Sequence, residues 1–442
     1  SQNPYRLTSW AGFGEVYYQL EPDVKLTGGL RYTDDRKSFD LIPSWTLVLG
    51  EGYPSQGTVD QEWKELTGRF NISWTPKLDF TDQSLFYASY AHGYKGGGAN
   101  PPGVIEVPSF AAGIPVTSPS NQTHPLTFKP EFNDAFEVGT KNSLLDGAMT
   151  LNGDVFFYKY QNYQISQIVD RTSVNLNFNA TVRGAEAEAT WEPEPGLRFN
   201  FAGGYEDATL DNGSQAIDLM DRTAGHSDWL VVKPFITETS NCILPTYVVN
   251  EMLAGHGSAL TTACFAAYVP GFYTIAGQQT PGLVDPVTLL PYAPSPDPTN
   301  LPGYIGFNGA TAPNDGEGFM KNLSGNQLPN TPPFTLSIGA QYSMPLSADW
   351  AATARADGYW QGNSFARVFN DRPYDQLHGY TNLNLTLIFT NQDGWQAMAY
   401  MKNVFNTTAI TGAFLNSDDS ALTTNVFVTD PRLFGLRITK NW

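Results

Sequence analysis

Long apolar runs are missing from this 442-residue chain. No stretch approaches the roughly 18 consecutive apolar residues that a membrane helix requires, which excludes helical spanning and leaves strands, whose only signal is alternation. Helical periodicity is equally scarce, although a soluble chain of this length would be expected to mix helix and strand signals over two or three domains. Basic residues are few: 25 Lys and Arg stand against 43 Asp and Glu, a formal charge of −18. Nucleic acid is therefore excluded as a partner, because phosphate binding needs clustered cations. The sequence has no nucleophile elbow, cysteine–histidine arrangement or convergent acid pair, which argues against an enzyme. The five histidines, His92, His124, His226, His256 and His378, show no metal-ligand spacing, so neither a metal nor a cofactor is expected. Only two cysteines occur, Cys242 and Cys264. Their proximity suits a disulfide in an oxidising compartment, contributing about 3 kcal/mol of loop constraint, with two free thiols as the alternative. No signal peptide opens the chain at Ser1, which predicts a mature or incomplete polypeptide.

Aromatics are abundant, at 13% with 22 Tyr and 10 Trp, and suit interfacial girdles. Alternation is the second positive signal. The terminal stretch from Arg432 puts Phe434, Leu436, Ile438 and Trp442 on one face, the pattern of a closing strand that acts as an assembly signal, with Lys440 positioned to snorkel at the membrane boundary. Residues 64–74 set Leu66, Phe70, Ile72 and Trp74 outward against Glu65, Thr67, Arg69, Asn71 and Ser73. Thirteen strands are predicted at 7–20, 23–34, 63–75, 83–94, 131–142, 147–160, 179–191, 196–207, 331–343, 349–360, 378–390, 395–404 and 431–442. The fold class is all-β, a transmembrane antiparallel β-barrel.

Short and long connections alternate. The long ones, 35–62, 95–130, 161–178, 208–330, 361–377 and 405–430, are expected outside the cell, and the short ones in the periplasm. A further strand within 37–50 is an option. The first strand then runs downward from the exterior, whereas a complete barrel starts from the periplasm, so residues 1–442 are expected to be the C-terminal portion of a longer barrel.

Four segments together resemble TonB-dependent outer-membrane receptors. They are Ala88-Ser-Tyr-Ala-His-Gly-Tyr-Lys-Gly-Gly-Gly-Ala-Asn100, Phe128-Lys-Pro-Glu-Phe-Asn-Asp-Ala-Phe-Glu-Val-Gly-Thr-Lys141, Val182-Arg-Gly-Ala-Glu-Ala-Glu188, and Met401-Lys-Asn-Val-Phe-Asn406 followed by Asp430-Pro-Arg-Leu-Phe-Gly. The resemblance implies about 13 C-terminal strands of a 22-stranded barrel in a Gram-negative outer membrane. It also implies an N-terminal plug moved by periplasmic TonB. Neither the plug nor the TonB box matches any part of this chain.

Candidate ligand contacts are His92, Tyr94, Lys95, Arg355 and Asp357, with packing or local pairing as the simpler reading for the rings and for Arg355 with Asp357. Lumen charges Glu65, Arg69, Asp154, Glu186, Glu188, Arg198 and Arg437 are read as supports for a plug in preference to ligand contacts. Gly96-Gly-Gly98 reads as a flexible turn. His226 with Asp228, and the pairs Asp218/Asp221 and Asp315/Glu317, read as solvated charge before weak cation sites. Loop 208–330, with its Pro-rich stretch and many aromatics, reads as a cap over the mouth.

The expected function is energised import of a scarce small-molecule nutrient, a ferric siderophore by default. Rival readings are a passive porin and a surface scaffold docking another protein, such as a lipoprotein, through loop 208–330. Outer-membrane lipid, lipopolysaccharide and the barrel assembly machinery are the other expected partners.

Overall fold

The computed structural model describes residues 2–41, 58–100, 127–169, 172–233, 241–254, 273–275, 278–280, 312–416 and 418–441. Thirteen strands form one antiparallel sheet in chain order. They are β1 (Gln2–Glu21), β2 (Val24–Leu41), β3 (Thr58–Trp74), β4 (Gln83–Lys95), β5 (Glu131–Leu144), β6 (Met149–Val169), β7 (Thr172–Glu194), β8 (Leu197–Leu210), β9 (Phe334–Pro345), β10 (Trp350–Gln361), β11 (Tyr380–Asn391), β12 (Trp395–Lys402) and β13 (Leu433–Lys440). Each expected strand has its counterpart, because period-2 alternation between an apolar and a polar face survives in the sequence. One short helix, Thr246–Leu253, lies in the longest connection. No described helix is long and apolar enough to cross a membrane.

The register fixes the two faces. Tyr32 pairs with Leu66, Leu26 with Ile72 and Val24 with Trp74, so these residues share the outer face, with Lys25, Arg31, Arg69 and Ser73 on the other. The outer apolar rows of β2 and β3 end in charge. On β2 the row from Val24 to Tyr32 gives way to Asp34 and Arg36, and on β3 the row from Trp74 to Leu66 gives way to Lys64 and Glu62. Arg36 meets Glu62 at 2.7 Å. Farther round, His92 meets Asp134 at 2.8 Å, Lys159 meets Asp211 at 2.7 Å and Arg183 meets Asp207 at 2.8 Å, all on the outer face. The apolar span on β2 and β3 is that of a tilted membrane strand, about 9–11 residues. Carbon-rich side chains thus fill the band, and ion pairs mark its outer limit.

Three expectations need revision. Residues 161–178 are not a loop: β6 and β7 continue as a ladder to Val169 and Thr172, past an irregularity between Tyr160 and Tyr163 where Asn162 takes φ 57°. There the apolar residues Ile165, Leu176 and Phe178 lie on the inner face and the outer face is polar, and the irregularity shifts the parity of β6, so no lipid-facing apolar row continues into this segment. Strands β2 and β3 also run beyond 34 and 63, since pairing persists after the outer face turns charged. Gly96–Gly98 is packed, not flexible: a Cβ on Gly97 would lie 2.4 Å from the Phe128 carbonyl, and one on Gly98 would lie 2.5 Å from the Phe128 ring. Residues 42–50 of the optional strand, Cys264 and Trp442 lie outside the described residues.

Candidate ligand vestibule and lumen wall

Motif glycines serve as seats for aromatic rings. Tyr87 pairs with Gly139, Phe156 with Gly184 and Tyr400 with Gly435. In each case a Cβ would lie within 2.7 Å of the facing ring. The absent side chain lets the ring lie flat on the neighbouring strand. Motif asparagines close the last loop. Asn403, at φ 47°, donates from Nδ2 to the Thr407 and Asp430 carbonyls at 2.9 and 2.8 Å, and the Arg432 amide donates to Asn406 Oδ1 at 2.9 Å.

The inner wall of β5–β8 is acidic. Asp154 stands directly across from Glu186, and Glu188 across from Asn152, with Glu137 and Glu206 on the same face. Tyr87 Oη donates to Glu137 at 2.5 Å, and Lys141 lies over the Tyr87 ring. Directly opposed like charges repel across a strand pair, so this wall favours a basic surface beside it. Elsewhere the lumen charges are matched: Arg69 meets Glu15 at 2.6 Å and Arg198 meets Glu192 at 3.4 Å. Glu65 and Arg437 face inward by register, opposite Thr33 and Met398.

The residues proposed from sequence as ligand contacts do not converge. His92 pairs in phase with Gly68 on the outer face, where it and Tyr90 both bond Asp134; the parity of β4 carries it away from the lumen. Tyr94 Oη lies beside Gly96, close to Lys37. Lys95 meets Glu131 at 3.2 Å on the inner face. Arg355 is engaged by Asp357 through Nε at 2.8 Å, and also by Asn200 and Gln341, so its guanidinium stiffens the wall.

Sequence reasoning missed the vestibule. On the lumen side of β6–β8, Phe156, Phe178, Ala180, Val182, Ala208 and Leu210 form one buried cluster with loop residues Ala216, Leu323, Leu328, Val368 and Phe369. Part of the longest loop therefore folds inward against the wall. Ion pairs tie it to two other loops. Arg367 Nη1 donates to Asp218 Oδ1 at 2.7 Å, and its Nε to Asp375 Oδ1 at 2.6 Å. Lys321 Nζ reaches Asp371 at 2.9 Å, Asp221 at 3.4 Å and Asp218 at 3.6 Å. Lys321 thus takes the place a cation would have at Asp218 and Asp221. Arg222, buried, donates to the Glu317 carbonyl at 2.7 Å and to Asp418 at 2.5 Å, joining the loop that precedes β13. His226 stacks on Phe319 with centroids 3.9 Å apart. Buried Cys242 is disulfide-bonded.

Burial, then the hydrogen bond with Asp218, pushes the Asp371 carboxyl up to about 6, against Lys321. Burial works to raise Asp218 as well, but the bond from Asp371 and the Arg367 charge hold it below the ordinary carboxylate range. The two loops are thus coupled through a carboxyl pair that favours holding one proton. Among the described residues, no group of three or more His, Cys, Asp or Glu is placed to hold a metal ion.

The comparisons bear on this architecture. The family described as TonB dependent receptor-like, beta-barrel matches residues 1–232. No curated protein sequence matches. Among solved structures, the ferric yersiniabactin uptake receptor FyuA from Yersinia pestis superposes with a TM-score of 0.57 at 14% identity, covering 98% of this chain and 45% of that one. The siderophore receptor PiuA from Acinetobacter baumannii gives 0.55 at 14% identity, covering 98% and 43%. The copper transporter OprC gives 0.53 at 11% identity, covering 98% and 48%. At these identities the likeness is one of fold, and the chain spans less than half the length of each of the three. The family match over more than half of the sequence, together with the banded sheet, places the chain among the TonB-dependent receptors, as part of their outer-membrane β-barrel.

Proposed function

We propose that this chain is barrel wall from an energised outer-membrane importer of a scarce small molecule, with a ferric siderophore as the cargo class. Transport would be coupled to TonB through a plug. The observation that carries this reading is the built mouth: Phe178, Leu210, Leu323 and Phe369 pack inside the wall, and ion pairs cross-tie three loops above it. A passive diffusion pore needs an open path, whereas an importer needs a mouth that holds its cargo until energy is supplied. The acidic face of Asp154, Glu186 and Glu188 supports the same reading, since it suits a basic plug surface. The cargo class follows two of the three named neighbours, which are described as siderophore receptors.

The test is uptake of radiolabelled iron from a panel of ferric siderophores into iron-starved cells carrying or lacking the gene. Gene-dependent uptake that collapses on adding a protonophore or deleting TonB supports the proposal. Gene-dependent uptake that persists under both treatments would identify a passive channel.

A further inference from the structure

A cavity of about 240 Å³ lies on the lumen side of the β6–β7 hairpin, enclosed by four separate extracellular segments. Ile165, Leu176 and Phe178 come from the hairpin, Leu219 from the long loop, Val368 from the loop after β10, and Phe414 from the loop after β12. Its walls are mostly apolar, with Ser166, Gln167, Ser173 and Arg367 as the polar residues of the lining. An apolar cavity of about 150 Å³ already accepts benzene.

Two features keep the space from closing. Leu219 follows Asp218, and Val368 follows Arg367; these two charged residues are locked together at 2.7 Å. The hairpin wall is held by its own ladder, with Ile165 opposite Leu176 and Tyr163 opposite Phe178. The walls are therefore fixed before anything binds, which lowers the ordering cost of binding. Immediately alongside, Phe178, Ala216, Val368 and Phe369 belong to the packed cluster of the vestibule, so the same segments close tightly where no space is kept. Phe414, 40% exposed, stands at the rim.

We infer that this cavity is a binding subsite for an apolar group about the size of one aromatic ring, an unsubstituted aryl or a branched alkyl group, carried by a small molecule. Arg367, the charged residue of the lining, is already held by Asp218 and Asp375. The lining therefore offers little to the hydroxyl or carboxylate groups that chelate a metal, and the group bound here is a non-chelating part of its carrier. Binding at this subsite stands on the cavity alone; treating the carrier as transported cargo rests on the uptake role proposed above.

Iodobenzene is the probe. The protein in nanodiscs is titrated calorimetrically, and its crystals are soaked and measured for iodine anomalous scattering. Partition into lipid is the same for every variant, so the difference between the wild type and Ala216→Trp, which fills the cavity, reads the subsite. The expected result is a saturable component weakened at least tenfold by Ala216→Trp, and an iodine peak between Leu176, Leu219 and Phe414. Phe414→Ala, which widens the rim, is expected to admit 1-iodonaphthalene. Identical partition in both proteins with no iodine peak, or a cavity occupied by a side chain of the chain itself, overturns the inference. Iodobenzene binding in a protein that imports nothing would instead leave the subsite standing and remove the transport reading.

Discussion

Arg367 and Asp218, 149 positions apart in sequence, meet at 2.7 Å with the Asp218 side chain fully buried and Arg367 15% exposed. The guanidinium forks, its Nε going to Asp375 at 2.6 Å. Removing it leaves two buried carboxylates without their shared cation, which costs about 3–5 kcal/mol. Arg367→Ala is therefore expected to release the vestibule loops to limited proteolysis while the barrel keeps its heat-modifiable migration on gels. Arg367→Lys is expected to rescue only part of this, since a point charge cannot serve both carboxylates. Unchanged loop protection in Arg367→Ala would show that apolar packing alone holds the mouth.

The Asp218–Asp371 pair gives the vestibule a pH dependence. Asp371 is raised in the folded state to about 6 from an ordinary 3.8, so the folded loops hold its proton more tightly than unfolded loops do. Its contribution to stability is fully present below about 4 and is lost as pH rises through about 6. Asp218, held low, contributes in the opposite sense only at more acidic pH. Amide exchange in 211–233 and 366–376, corrected for the intrinsic rate, should then be slower at pH 5 than at pH 7.5. Asp371→Asn should flatten the profile, because the amide donates to Asp218 at every pH. A profile equally steep in the variant would assign the effect to another group.

The second tie, Arg222 to Asp418, joins two loops through side chains 1% and 2% exposed. Arg222→Met alone and Asp418→Leu alone should each destabilise the loops by about 3–5 kcal/mol, through loss of one partner of a buried ion pair. Arg222→Met combined with Asp418→Leu should recover much of that loss. Loop unfolding followed by proteolysis in denaturant measures all three, and strict additivity would mean that the two groups do not interact.

The thirteen strands were legible because lipid and lumen impose opposite chemistry on alternate residues, and Leu66, Phe70, Ile72 and Trp74 carry that signal without interruption. Strand ends were misread for the same reason. Beyond the membrane band the outer face becomes Asp34, Arg36, Glu62 and Lys64, so polarity stops alternating while the backbone ladder continues. The hairpin tip turns the pattern round: Gln164, Asn175 and Asn177 face outward and Ile165, Leu176 and Phe178 inward, and the irregularity between Tyr160 and Tyr163 breaks the parity of β6, so no lipid-facing apolar row marks it as strand. His92 was a candidate ligand contact through its proximity to a glycine-rich turn, with packing the simpler reading, and the parity of Phe86, Ala88 and Tyr90 sets it outward. The vestibule was illegible on physical grounds: Asp218 read as solvated loop charge, and no sequence pattern links it to Lys321, Arg367 or Asp418 before the fold brings these distant segments together.

Gly184 offers the sharpest test of why the motif glycines occur where they do. It faces Phe156 across the β6–β7 pair, and a Cβ there would lie 2.1 Å from the Tyr205 carbonyl of β8 and 2.5 Å from the Phe156 ring. The ring can swing aside, but the carbonyl belongs to a paired strand and cannot move without breaking register. Overpacking of this kind costs about 1–3 kcal/mol, and here it also unseats an aromatic ring from the vestibule cluster. Gly184→Ala is expected to lower the thermal midpoint of the purified barrel by several degrees and reduce its yield in the outer membrane. Phe156→Leu in the same chain should relieve only the ring contact, so Gly184→Ala/Phe156→Leu should stay destabilised relative to Phe156→Leu alone. Full recovery in the double variant would assign the glycine to the ring instead of the Tyr205 backbone.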